Sequence, residues 1–349
     1  MKIHEKYIKR CLQLAKNGLG TTSPNPMVGA VIVYDGKIIG EGYTSPYGGN
    51  HAEVNAIKSV TDKSLLNRST IYVSLEPCAH YGKTPPCADL IVEHKIPEVV
   101  VGVVDDNSLV SGEGVKRLRN AGCDVLVGIL EKECRELNKR FFTFHNKKRP
   151  YIILKWAETK DGFIDVKRSE GAEKQPTWIS NKYAQQLVHK WRSEEQGIMV
   201  GTNTVIKDNP RLNVRSWVGK NPVRIILDNS LRIPKEAYVF DGMVKTILFT
   251  SSRTAFSKKR NNVQVALIDY SENVPQQVCN VLFKNEIQSI IIEGGAYTLQ
   301  SFINANLWDE TRIFVGNTIF KEGVKAPQVN GTALFEKNVA DDSFKTIIP

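Results

Sequence analysis

The chain has 349 residues, of which 41% are hydrophobic and 24% charged, with a net charge of +10. That length exceeds one ordinary core and predicts two domains of globular composition. No apolar run approaches the roughly 20 residues that cross a bilayer, and the opening MKIHEKYIKR has no apolar stretch behind it, which excludes a membrane role and predicts a cytoplasmic protein.

Residues 3–17 place Ile8, Cys11, Leu12 and Ala15 at helical spacing, ended by Gly18. Ser23-Pro24-Asn25-Pro26 is too proline-rich for a regular element and reads as a loop. Asp35-Gly36 between two apolar runs predicts a hairpin. Helix and strand then alternate: a helix from His51, a strand at 70–77, a helix at 87–96 entered through Pro85-Pro86, a strand at 98–105, a helix at 114–122, a strand at 123–129 and one helix over 129–144. This alternation predicts a three-layer α/β domain.

The polar cluster His145-Asn146-Lys147-Lys148-Arg149-Pro150 breaks the rhythm and marks a boundary, giving domains 1–147 and 148–349. A second α/β series follows, with strands at 151–157, 197–201, 223–228, 245–250, 263–269, 289–295 and 311–316. Helices are expected at 202–209, at 297–306 and after a cap at Ser180 or Asn181, where Ala184, Leu187, Val188 and Trp191 share a face.

Four of the six cysteines, Cys11, Cys123, Cys134 and Cys279, fall in apolar-periodic stretches and read as buried thiols. Cys78 and Cys87 differ, lying close together in a turn-rich loop downstream of His51-Ala52-Glu53. Catalytic zinc takes three protein ligands and keeps one place for water, and His51, Cys78 and Cys87 supply three. All three, with Glu53, are expected to open helices, whose N-termini favour thiolates. Two residues from His51 at about 100° each, Glu53 is expected to point away from the metal and to reach the water as a general acid/base. His-x-Glu with Pro-Cys-x-x-Cys is the signature of zinc deaminases; here the second gap is eight residues. A four-ligand structural zinc that recruits His80, or fortuitous spacing without a metal, stays open at this level.

The first half carries 19 Lys+Arg against 16 Asp+Glu and the second 28 against 21, a diffuse excess apart from Arg253 and Lys258-Lys259-Arg260, which read as a solvated loop. Such a field suits a phosphorylated small molecule or a dinucleotide. The rival is a nucleic-acid base deaminase whose basic second domain binds RNA, but that calls for a dense basic stripe with interleaved aromatics.

Pro24-Asn25-Pro26-Met27-Val28-Gly29, His51-Ala52-Glu53-Val54 and Glu76-Pro77-Cys78-Ala79-His80-Tyr81-Gly82-Lys83-Thr84-Pro85-Pro86-Cys87 resemble the bifunctional riboflavin biosynthesis deaminase/reductase family. So do Pro150 to Ala157 with Asp161-Gly162, Trp178-Ile179-Ser180, His189 to Arg192, Gly201 to Arg215 and Glu293-Gly294-Gly295. The resemblance implies a cytidine deaminase-like domain followed by a dihydrofolate reductase-like domain. It implies Zn2+ on His51, Cys78 and Cys87, Glu53 as the catalytic proton shuttle, and NADPH as hydride donor. The implied substrate is 2,5-diamino-6-ribosylamino-4(3H)-pyrimidinone 5′-phosphate, which loses its ring amine before its ribosyl group is reduced to ribityl.

By position, Asn25, His80 and Lys83 match substrate contacts in the first half, where turn chemistry is the alternative. Ala157, Trp178, Thr204, Asp208, Gly294 and Gly295 match cofactor contacts, and Arg192, Leu212, Arg215 and Glu293 match substrate contacts in the second. Lys155, alternating on a strand beside Trp156, either places a cation in that cleft as a further substrate-binding residue or faces solvent. Independently of the resemblance, Glu293-Gly294-Gly295 sits between a strand and a helix, so it is either a phosphate cradle or a plain tight turn. Arg192 and Arg215 have the donor fork that pairs with phosphate, while Trp178 and Leu212 also read as core. The expected partners are a phosphorylated pyrimidine and further copies of the chain as a homo-oligomer, with no nucleic acid. The chain departs from the family at Thr44, usually His, at Asp105-Asp106-Asn107-Ser108, usually Asp-Pro-Asn-Pro, and at Gln196-Gly197, usually Asp-Ala.

Overall fold

Asp35-Gly36 forms the tip of the expected hairpin, both residues at positive φ, and the helices Lys2–Ala15 and Ala52–Ser59 pack against its strands. The computed structural model describes residues 1–81, 85–106, 112–168, 176–252 and 262–349. They divide into two units, Met1–Lys148 and Arg149–Pro349. Among the described residues no helix is long and apolar enough to cross a membrane.

The first unit runs α1 (Lys2–Ala15), β1 (Gly29–Tyr34), β2 (Lys37–Tyr43), α2 (Ala52–Ser59), β3 (Thr70–Val73), α3 (Cys87–Glu93), β4 (Glu98–Val101), α4 (Glu113–Asn120), β5 (Asp124–Val127), α5 (Glu131–Leu137) and α6 (Lys139–Lys147). Its sheet has the order β2-β1-β3-β4-β5, antiparallel at the hairpin and at β1/β3, parallel beyond. Glycines let helices approach both faces. A Cβ on Gly29 would fall 1.9 Å from the Cys11 carbonyl oxygen of α1, and one on Gly42 would fall 2.4 Å from the Ala56 nitrogen of α2. Ala30 pairs with Gly42, so Gly29 and Gly42 face opposite sides and the unit is a three-layer sandwich. The single helix expected over 129–144 is two, α5 and α6. They break at Asn138, whose buried amide is occupied with the Met27 backbone, accepting from its N–H and donating to its carbonyl at 2.9 Å each.

The second unit runs β6 (Tyr151–Thr159), β7 (Phe163–Asp165), α7 (Lys182–Glu194), β8 (Gly197–Gly201), α8 (Thr202–Asp208), β9 (Val223–Leu227), β10 (Thr246–Thr250), β11 (Val263–Leu267), α9 (Val274–Lys284), β12 (Ser289–Gly294), α10 (Ala296–Asn304), β13 (Glu310–Gly316), β14 (Val324–Lys325), β15 (Thr332–Val339) and β16 (Asp342–Ile348). The nine-stranded sheet has the order β11-β10-β9-β8-β12-β6-β13-β16-β15, parallel except for the last two pairings. Alternate β6 residues enter different cores, Ile152, Leu154 and Trp156 one and Tyr151 and Ile153 the other, as a sheet covered on both faces requires. Asn181 rather than Ser180 caps α7, accepting from the Tyr183 and Ala184 N–H groups. Helix α9 and strands β7, β14, β15 and β16 were not among the sequence expectations. β12 inserts between β6 and β8, parallel to both, and the strand order switches there, with β8 to β11 laid down to one side and β13 to the other, opening a crevice at the carboxyl ends of these strands.

Candidate active sites

Three donor atoms converge in the first unit. His51 Nδ1 lies 3.6 Å from Cys78 Sγ and 3.3 Å from Cys87 Sγ, and all three ligand atoms are within 4.8 Å of one another. Tetrahedral zinc, with bonds of about 2.3 Å to sulfur and about 2.05 Å to nitrogen, sets sulfur and nitrogen about 3.6 Å apart. The spacing, and the soft donor set, therefore fit that metal. His80 is exposed and stands outside the cluster, so among the described residues the set has three members and not four.

The helical setting differs from the expectation. His51 is the N-cap of α2, in extended conformation, and Glu53 is the second residue of the helix. What separates them is the backbone turn into the helix rather than an arc along it. Cys78 opens no helix and lies in a loop. It receives the N–H of Cys87, the first residue of α3, at 3.3 Å. That donor and the partnership with Cys87 and His51 act on the Cys78 thiol, pushing it down to about 4, first through the hydrogen bond from Cys87. The same hydrogen bond and burial push the Cys87 thiol up.

Glu53 is 3% exposed, and Cys78, His51 and Cys87 all act electrostatically on its carboxyl, which places it beside the three donors. Burial, then the neighbouring Cys78, pushes that carboxyl up to about 7. A carboxyl in this range can both hold and release a proton near neutral pH. Asn25 is half-buried in the loop before β1, its N–H bonded to the Thr22 carbonyl. Lys83 lies outside the described residues, as do Asn107, Ser108, Arg253 and Lys258-Lys259-Arg260.

The departures have structural partners. Thr44 is buried, its hydroxyl accepting the Val28 N–H at 3.0 Å. Asp106 takes a bidentate pair from Arg135 at 2.7 and 3.1 Å and the Asn146 amide at 2.9 Å. Gln196 accepts the Gln288 N–H through its side chain. Three residues without an expected role shape the first site. Asn138 clamps the loop of Asn25, while Glu76 accepts the N–H groups of Asp105, Gly112 and Val115; Arg117 donates to the Ala79 carbonyl. A polar residue inside an apolar-periodic helix was a readable signal for Asn138. Glu76 and Arg117 have partners 28 to 39 residues away and left no local trace.

In the second unit every residue assigned to the reductase site lines one cleft of about 1060 Å³ at the carboxyl ends of β6, β12 and β8. Gly294 has a φ of 138°, in the region that favours glycine, and a Cβ on Gly295 would lie 3.3 Å from Thr204 Oγ1. Gly295 is the N-cap of α10 and no side chain caps that helix. The bare, positive helix end in a cleft fits a phosphate-bearing cofactor. Trp178 is 63% exposed at the cleft, not core, and Leu212 is buried at a φ of 49°.

Arg192 corrects the sequence argument. Its Nε and Nη2 pair with Glu293 at 2.8 and 2.6 Å, and Nη1 donates to the Asn213 carbonyl at 3.2 Å. The fork that suits phosphate is engaged within the protein. Arg192, with Lys155 and His189 nearby, overcomes burial to hold Glu293 well down, at about 2. Lys155 has no hydrogen-bond or ion-pair partner among the described residues, and burial lowers its ammonium. His189 Nδ1 accepts the Arg215 N–H at 3.1 Å, and burial, then Arg192 and Arg215, pushes the imidazole down to about 4. Asp208 pairs with Arg168 at 3.1 Å, yet burial pushes it up to about 6.

Residues 1–103 match the cytidine and deoxycytidylate deaminase zinc-binding region, and residues 150–348 match the RibD C-terminal domain. The chain is 42% identical to the riboflavin biosynthesis protein RibD of Aquifex aeolicus over 325 residues, 93% of this chain and 89% of that one. It is 33% identical to the Escherichia coli RibD over 327 residues, 89% and 87% of the two chains. Among solved structures, a diaminohydroxyphosphoribosylaminopyrimidine deaminase/5-amino-6-(5-phosphoribosylamino)uracil reductase from Thermotoga maritima superposes with a TM-score of 0.90 at 37% identity, covering 100% and 99% of the chains. Acinetobacter baumannii RibD gives 0.89 at 32% identity, with the same coverage.

Proposed function

The chain belongs to the RibD family of riboflavin biosynthesis proteins, and on that premise we propose how its residues divide the work of a zinc-dependent pyrimidine deaminase and an NADPH-dependent reductase. The observation that carries the reading is the buried Glu53 carboxyl beside the His51, Cys78 and Cys87 donors. Zinc, when bound by those donors, supplies a Lewis acid that makes water a nucleophile near neutral pH. Glu53 accepts the proton of that water as it adds to the amino-bearing carbon of 2,5-diamino-6-ribosylamino-4(3H)-pyrimidinone 5′-phosphate, and returns it to the departing amine. Ammonia leaves and the carbonyl of the uracil remains. Asn25, His80 and Lys83 are proposed to contact the substrate.

In the reductase, NADPH supplies the hydride that converts the ribosyl group to ribityl. The Gly294-Gly295 turn and the α10 N-terminus hold cofactor phosphates, with Ala157, Trp178, Thr204 and Asp208 along the same cleft. Glu293 is kept ionised and oriented by Arg192, so that it can accept from substrate hydroxyls, with Leu212 as an apolar wall. Arg215 and the unpartnered Lys155 are the cations proposed to meet the 5′-phosphate. The RNA-binding alternative is not favoured, because the second domain matches a reductase family over residues 150–348. Homo-oligomerisation and a cytoplasmic location belong to this proposal; light scattering of the purified protein tests the first.

The whole reading is tested by incubating the protein with the diaminopyrimidine nucleotide, with and without NADPH, while following ammonia and NADPH absorbance. Ammonia release without cofactor and NADPH oxidation after it are expected. Neither signal from zinc-loaded protein would sink the reading.

A further inference from the structure

Helix α4 has Gly112 as its N-cap, with a φ of 77° and no side chain to accept from the first turn. Glu76 takes that place from a distant part of the sequence. Its Oε1 accepts the Val115 N–H at 3.0 Å, and its Oε2 accepts those of Gly112 at 3.0 Å and Asp105 at 3.1 Å. A carboxylate at a helix N-terminus satisfies both the orphan donors and the dipole. The approach is close: a Cβ on Gly114 would fall 2.0 Å from the Pro77 carbonyl oxygen.

From the same helix Arg117 reaches back. Nη1 donates to the Ala79 carbonyl at 2.8 Å, and Nε pairs with Asp89 Oδ1 at 2.5 Å. Ala79 follows Cys78, and Asp89 lies in the first turn of α3, two residues after Cys87. Glu76 and Arg117 therefore grip the Cys78 loop on both sides, and Arg117 ties it to the helix that carries Cys87. We propose that Arg117 is a positioning residue for the zinc site, setting the separation and direction of the two cysteine donors from an α4 that Glu76 locks in place. The inference rests on the zinc-deaminase reading above.

The Arg117 side chain is 41% exposed, and a pair so placed contributes little to global stability. Its effect falls on the metal instead. Residues that orient metal ligands typically change affinity or activity ~10- to 100-fold when removed. Arg117→Ala, Arg117→Lys and the neighbouring Lys116→Ala are compared in the full chain by chelator competition for Zn2+, by the visible spectrum of the Co2+-substituted protein, by deaminase kcat and by reductase activity as an internal control of folding. Arg117→Ala should weaken Zn2+ retention ~10-fold or more, change the Co2+ spectrum and lower deaminase kcat, with reductase activity unchanged. Arg117→Lys, which can reach one partner but not both, should fall between. Lys116→Ala should match wild type. Wild-type metal retention and spectrum in a folded Arg117→Ala overturn the proposal and leave the zinc reading standing. A wild-type protein that cannot retain Zn2+ overturns the zinc reading and the proposal with it.

Discussion

Replacing Arg192 by alanine removes the bidentate partner of Glu293 and leaves a carboxylate that is 9% exposed at its side chain. Two routes give the magnitude. Breaking a buried pair by deleting one member costs about 3–5 kcal/mol. Separately, a carboxyl held at about 2 against an ordinary 4.5 corresponds to about 3 kcal/mol at ~1.4 kcal/mol for each unit. Lys155 and His189 remain near Glu293 after the substitution, so the lower end is expected. All five tryptophans, Trp156, Trp178, Trp191, Trp217 and Trp308, belong to the second unit, and their fluorescence reports its unfolding separately. With a urea m-value of about 2 kcal/mol/M, the midpoint should fall by about 1.5 M. Because the folded pKa of Glu293 is depressed, its contribution is complete above about pH 4.5 and is lost as the pH falls toward 2. Arg192→Ala should therefore flatten that acid limb. The double variant Arg192→Met/Glu293→Leu should recover most of the lost stability, since neither charge is then buried alone. A midpoint drop below about 0.5 M in the single variant, with the acid limb intact, would refute the reasoning.

Glu53→Gln should retain zinc, because the donor set is untouched, while deamination falls at least ~100-fold in a coupled ammonia assay. Stripping the metal should abolish deamination and leave NADPH oxidation on the uracil substrate intact. Zinc at 1,000 times its Kd should stabilise the first unit by about 4 kcal/mol, read as hydrogen-exchange protection of β1, β3 and β4. His189 sits at about 4 in the folded protein against an ordinary 6.5, so its contribution is complete above about pH 6.5 and is lost as the pH falls toward 4. His189→Gln, which can still accept the Arg215 N–H, should lose less second-unit stability between pH 7 and pH 5 than wild type does. An equal loss would place the titration on another group, and not on Asp208, which is raised to about 6 and adds stability as the pH falls through that range.

The sequence by itself singled out the proposed metal donors and the proposed general acid/base. Zinc chemistry admits few ligand types, and His51, Glu53, Cys78 and Cys87 stand in an order and spacing that few other chemistries need. Strand and helix alternation was legible for the same local reason, since a period of two or of 3.6 is written into neighbouring residues. Where burial gave no pattern, nothing could be read: every residue of β15 but the last is exposed, so the strand carries no alternation. Helix α9 does carry a local signal, an Asn273 cap before Pro275 with Val278, Cys279 and Leu282 on one face. Only the tertiary structure decided which partners the polar groups take. Arg192 meets Glu293 across 101 residues, Glu76 meets α4, and Asn138 leaves its helix to hold Met27. Those pairings depend on how sheet and helices bring distant backbone together, and a carboxylate or guanidinium has no preference for one distant partner until the fold presents it. In the stretch from His51 to Cys87 the sequence thus singled out three donors that the fold brings together, while only the fold supplied the α4 contacts that hold the Cys78 loop.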